Sequence, residues 1–127
     1  MESYKILIDE IPKSLNVLFS WHWGKCKQYN DDWITMIWHE VRKQKIPKIS
    51  GQVNIRIIFI FKDARIHDFD NLIGTQGIFN GLKKSLISDD NTRVIKSVEY
   101  DSRVEKSNKN KTLIEVFPID SDDKPTS

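Results

Sequence analysis

The chain has 127 residues, 39% of them hydrophobic and 30% charged, with a formal net charge of +2. That length suits one domain around one core and is too short for two of ordinary size. The composition excludes a membrane span and a disordered chain, and the near-neutral balance means that any nucleic-acid affinity must come from local patches.

One cysteine, Cys26, excludes an internal disulfide and a cysteine-rich zinc site. The start, Met-Glu-Ser-Tyr-Lys, carries no apolar signal region, so the expected setting is reducing and cytoplasmic.

In chain order, Tyr4–Ile8 reads as a short strand, broken by Pro12, which lacks a ladder donor. Residues 15–28 have no clean period, and the aromatic, basic cluster Trp21-His22-Trp23-Gly24-Lys25 reads as a loop. Asn30-Asp31-Asp32 supplies N-caps and negative charge for a helix running to about Lys45. Trp33, Ile34, Ile37, Trp38 and Val41 mark its buried face, and Pro47 and Gly51 end it.

Residues 52–61 form the clearest strand. Val53, Ile55, Ile57, Phe59 and Phe61 alternate onto one face, and Ile58 and Ile60 make its far half apolar on both faces. That pattern predicts a central strand covered on both sides. A second helix is predicted over Asn71–Leu86, with Leu72, Thr75, Phe79, Leu82 and Leu86 at three- and four-residue steps. Gly74, Gly77 and Gly81 lie on one side of it, each costing about 0.5–1 kcal/mol relative to alanine. Close approach of another backbone, a strand or a partner subunit, would offset that cost.

Residues 94–100 and 112–117 read as two further strands, expected to form an antiparallel pair joined by a long lysine-rich loop. The prediction is one α/β domain over residues 1–120, a mixed sheet of about four strands with two main helices. A polar tail, 121–127, follows.

The chemistry concentrates past the central strand. Asp68 and Asp70 are separated by the apolar Phe69, so in extended backbone both carboxylates project to one face. Asp89 and Asp90 follow Asp70 by nineteen and twenty residues, and the intervening helix can return the chain toward the first pair. Carboxylates brought together in this way need a cation, and Mg²⁺ is the usual partner of an oxygen-only cluster. The plainer alternative is that Asp68 and Asp70 cap the following helix. His22, His39 and His67 show no metal-ligand spacing, and no phosphate-cradling glycine loop occurs. Trp21 and Trp23 can stack on bases or serve as core or interface aromatics. The lysines of residues 25–27, 42–48 and 106–111 solvate the surface or rim the acidic centre.

His67-Asp68-Phe69-Asp70-Asn71-Leu72, a helix, then Ser88-Asp89-Asp90 and a valine-containing strand resemble the RusA family of Holliday-junction resolvases. The likeness covers roughly residues 59–100, with fainter similarity toward the N-terminus. It implies a small RusA-like α/β homodimer, of a kind often carried by prophages, that cuts four-way DNA using Mg²⁺ or Mn²⁺. By position, Asp68, Asp70 and Asp90 match the family's catalytic, metal-binding acids, and Asn71 the asparagine beside the second acid. Lys62, Arg65 and His67 stand where a basic, DNA-contacting run precedes the motif. The acid groups are one residue further apart than in one member of the family, so Asp89 can replace Asp90 as ligand. A lysine often found four residues past the second acid is Gly74 here. That departure keeps open a branched-DNA binder with a weakened metal site; the other alternative is a protein-interaction module whose acids cap a helix and whose glycine face packs a partner.

Overall fold

The computed structural model describes residues 3–13, 17–18, 20–62, 75–89, 92–106 and 108–119. Its elements are β1 (Tyr4–Ile8), α1 (Trp23–Lys43), β2 (Val53–Phe61), α2 (Gln76–Ser85), β3 (Ile95–Val104) and β4 (Lys111–Pro118). The result is a small α/β domain with a four-stranded mixed sheet and two helices, as the sequence predicts.

The sheet order is β1-β4-β2-β3. β4 pairs antiparallel with both β1 and β2, whereas β3 pairs parallel with β2. The expected β3–β4 hairpin is therefore wrong. The loop after β3 carries the chain across β2 instead of turning back beside β3. Because β2 is buried on both faces, its two edges are the favourable places for the last two strands. β3 also runs four residues beyond the predicted Tyr100.

α1 begins seven residues before the predicted Asn30 cap. Its N-cap is His22, whose Nδ1 accepts the Gly24 N–H at 3.1 Å, and Asn30, Asp31 and Asp32 lie inside the helix. The predicted loop at Trp21–Lys25 is thus largely first-turn helix. Lys25 lies 4.1 Å over the Trp21 ring, which meets Tyr29 edge-on at 5.5 Å; these contacts tie the turn down. Trp33, Ile37 and Val41, four residues apart, carry the buried face. The helix closes before Pro47: Lys45 takes φ 56°, its N–H donates to Arg42 C=O, and the Ile46 N–H donates to Val41 C=O. That is a Schellman closure with lysine in the left-handed position glycine normally takes.

One apolar core unites α1 (Trp33, Ile37, Val41), α2 (Ile78, Leu82) and one sheet face (Ile6, Val53, Ile55, Ile57, Phe59, Ile114, Val116). Ile58 and Ile60 are buried as well, on the other face of β2. On that face Arg56 reaches Asp101 at 2.7 Å, Glu99 at 2.9 Å and Glu115 at 3.8 Å.

α2 starts at Gln76, with Thr75 as N-cap, so the predicted start at Asn71 falls outside the described residues. The glycine side of α2 faces α1: Gly77 packs on Trp33 and Gly81 on Ile37 and the backbone of Ile34. The backbone approach inferred from those glycines is real, and its partner is the first helix. Gly74 and the tail 121–127 lie outside the described residues.

Candidate functional site

Arg65, His67, Asp68, Asp70, Asn71 and Asp90 lie outside the described residues; Lys62 and Asp89 lie within them. Lys62 is exposed just beyond the C-terminal end of β2, and its backbone N–H donates to Asn110 Oδ1 at 3.0 Å. Asp89 follows the buried pair Leu86-Ile87 toward the other end of β2, where Leu86 C=O accepts the Ile49 N–H at 2.7 Å. Its carboxylate lies 3.7 Å from Lys83 Nζ.

One cavity of about 500 Å³ lies between α2 and the start of β3, and Asp89 is not part of its lining. Gln76, Phe79 and Asn80 form one wall and Thr92, Ile95, Lys96, Ser97 and Val98 the other. Gln76 is six residues past Asp70, and Thr92 is two past Asp90. Amide, hydroxyl and ammonium groups thus line a partly apolar hollow. Sequence reasoning passed over Lys96, Gln76 and Asn80. Their signal was present only in combination: polar residues on the exposed side of a helix start and at the base of a strand become neighbours once β2 and β3 run parallel.

The N-cap position of α2 belongs to Thr75, five residues past Asp70, with no side-chain capping hydrogen bond, and the first turn carries no acid.

A second hollow, about 950 Å³, opens where β1 and β2 end, between Asp9–Lys13 and the middle of α1. The Tyr29 hydroxyl accepts the Lys13 N–H there at 2.7 Å, and burial pushes its pKa up despite that hydrogen bond. Asp9 is paired with Lys109 at 3.2 Å.

Among the described residues no three His, Cys, Asp or Glu side chains gather to hold a metal ion. The candidate donors, Asp68, Asp70, Asp89 and Asp90, are all carboxylates, a set that fits Mg²⁺ or Mn²⁺ and not a softer ion. No described helix is long and apolar enough to cross a membrane. No protein-family model matches the chain, and no curated protein matches it.

Proposed function

We propose that this chain is a metal-dependent, structure-selective endonuclease that resolves four-way DNA junctions by symmetric phosphodiester hydrolysis, in DNA recombination and repair, as a homodimer in the cytoplasm. The observation that carries this reading is the convergence of Gln76 and Thr92, the nearest lining residues to the two acid groups, on one cavity.

In this reading Asp68, Asp70 and Asp90 supply oxygen ligands to Mg²⁺ or Mn²⁺, with Asp89 able to take the last place. An ion held by these carboxylates would supply a more acidic water and charge neutralisation at the attacked phosphate. Asn71 orients a neighbouring carboxylate by hydrogen bonding. Lys96, on the cavity wall, meets a phosphate oxygen, and Lys62, Arg65 and His67 hold the DNA backbone. No side-chain nucleophile is required, because phosphoryl transfer depends on positioning and charge stabilisation.

A second reading, a branched-DNA binder that does not cut, is favoured by Gly74 standing where the resembled family often has lysine. The interaction-module reading is weakened, because Gly77 and Gly81 are spent on the internal contact with α1. Titration with Mn²⁺, followed by calorimetry, tests the metal site. Binding is expected in the native chain and lost in Asp68→Asn and Asp70→Asn; equal binding by all three proteins refutes the assignment.

A further inference from the structure

The hollow where β1 and β2 end holds a phenol whose oxygen is approached by N–H groups. The Tyr29 hydroxyl accepts the Lys13 N–H at 2.7 Å. Beside it stands Trp33, 1% exposed, whose buried indole N–H has no hydrogen-bond partner among the described residues. Burial pushes the Tyr29 pKa up; the Lys13 N–H and, less strongly, the Trp33 N–H draw it back. The indole is thus close to the phenol oxygen, yet it falls short of hydrogen-bonding geometry. An indole can only donate, and a buried donor left unmet destabilises the fold.

Both side chains line the hollow. With N–H groups on its acceptor side, the Tyr29 hydroxyl is left to donate its own hydrogen. Glu10, exposed on the same rim, is near enough for its charge to oppose ionisation of the phenol. The site therefore offers a donor beside an acceptor, over an apolar wall of Pro12, Met36 and Phe61.

That chemistry narrows the occupant. Three carboxylates (Asp9, Glu10, Asp32) and two ammonium groups (Lys13, Lys109) line the hollow, so a free phosphate or carboxylate gains no net attraction. A metal ion has no use for hydroxyl and indole donors, and among the described residues no three ligands gather for one. A trans peptide group carries its C=O and N–H on opposite sides. A keto nucleobase carries them side by side, on a flat ring that apolar side chains can hold.

We propose that this hollow binds one unstacked keto base, guanine or thymine, whose C=O accepts the Tyr29 O–H and whose ring N–H donates to Glu10. Donation by the phenol makes its oxygen a better acceptor, which draws in the Trp33 N–H. The volume, about 950 Å³, leaves room for a sugar and phosphate beside the base. Base recognition here is separate from the metal site; only its use in gripping DNA rests on the nuclease reading.

Proton–nitrogen NMR of the whole chain tests the site through the Trp33 indole signal, assigned as the one common to Trp21→Phe, Trp23→Phe and Trp38→Phe. Deoxyguanosine and thymidine monophosphates are expected to move it downfield and to saturate. The adenine and cytosine nucleotides are expected to bind at least ten-fold more weakly, and deoxyribose phosphate is expected to leave the signal in place. Tyr29→Phe and Glu10→Ala are each expected to weaken deoxyguanosine monophosphate at least ten-fold with unchanged far-UV circular dichroism. A signal that neither the nucleotides nor a short single-stranded oligothymidylate moves, equal binding of all four bases, or native affinity in Tyr29→Phe overturns the proposal. Tighter binding of the oligothymidylate than of thymidine monophosphate makes the source a DNA strand; the reverse makes it a free nucleotide. Junction cleavage is measured in parallel. A base site in a protein that never cuts removes the nuclease reading alone, and cleavage with a Trp33 signal that never moves removes the base site alone.

Discussion

Gly77 rests against Trp33 so closely that a methyl group on its Cα would stand 2.6 Å from the Trp33 Cβ. At Gly81 the same methyl would meet Ile37 Cδ1 at 2.9 Å and the Ile34 Cα at 3.3 Å. These two positions set the distance between α1 and α2. Alanine there gains up to about 1 kcal/mol in helix propensity, but overpacking costs about 1–3 kcal/mol. Trp33 is 1% exposed and has nowhere to move. Gly77→Ala is expected to destabilise by about 1–2 kcal/mol net, read as a lower urea midpoint, and Gly81→Ala by somewhat less. A raised midpoint for Gly77→Ala would mean that the helices do not touch there.

Lys45 holds a left-handed conformation, φ 56°, at the close of α1. For a residue with a Cβ that conformation costs about 1–2 kcal/mol, and glycine avoids most of it. Lys45→Gly is therefore expected to stabilise the domain by about 0.5–1 kcal/mol, seen as a rise in melting temperature.

Arg56 stands among three carboxylates on the sheet's other face, and of these Glu115 is 8% exposed. Its Nε contact with Glu99 is an ion pair by distance only, since the N–H is not aimed at an acceptor. Arg56→Met leaves Glu115 buried without its cation, with an expected loss of about 1–3 kcal/mol at neutral pH. Asp101 responds to pH. The Ser102 N–H holds its pKa below the usual aspartate range against the opposing effect of desolvation, and Arg56 lowers it further. Its folded value is depressed, so its stabilising contribution is complete above the unfolded value and disappears as pH falls through the folded one. A carboxyl-carbon NMR titration is expected to place the Asp101 midpoint below that of ordinary aspartates, and Arg56→Met is expected to move it upward.

Strand β2, the buried stripe of α1 and the α/β class were legible because hydrophobic period alone specifies them. The start of α1 was not, because a histidine cap and ring contacts among Trp21, Lys25 and Tyr29 replaced the expected Asn30-Asp31-Asp32 signal. Strand pairing was not legible either. The residues of β3 and β4 alternate equally well in a hairpin and on opposite edges of β2, and only the tertiary packing decides. Sequence supplied the acids as candidates only, while the fold brought Gln76, Asn80 and Lys96 around one cavity, a meeting that depends on the parallel β2–β3 register.

Asp70→Asn is expected to lower junction cleavage by at least a hundred-fold while DNA binding is kept or strengthened. It removes a metal ligand and also a charge that repels phosphate. Single-turnover cleavage and gel-shift assays on the same preparation separate the two effects, and retained cleavage would show that Asp70 is not a ligand.

The central claim is tested most directly by incubating the native protein with a labelled four-way junction and with linear duplex of the same sequence, in Mg²⁺, in Mn²⁺ and in chelator. Paired, symmetric nicks in the junction alone, and only with metal, are the predicted result. Binding of the junction without a cut in either metal would contradict it.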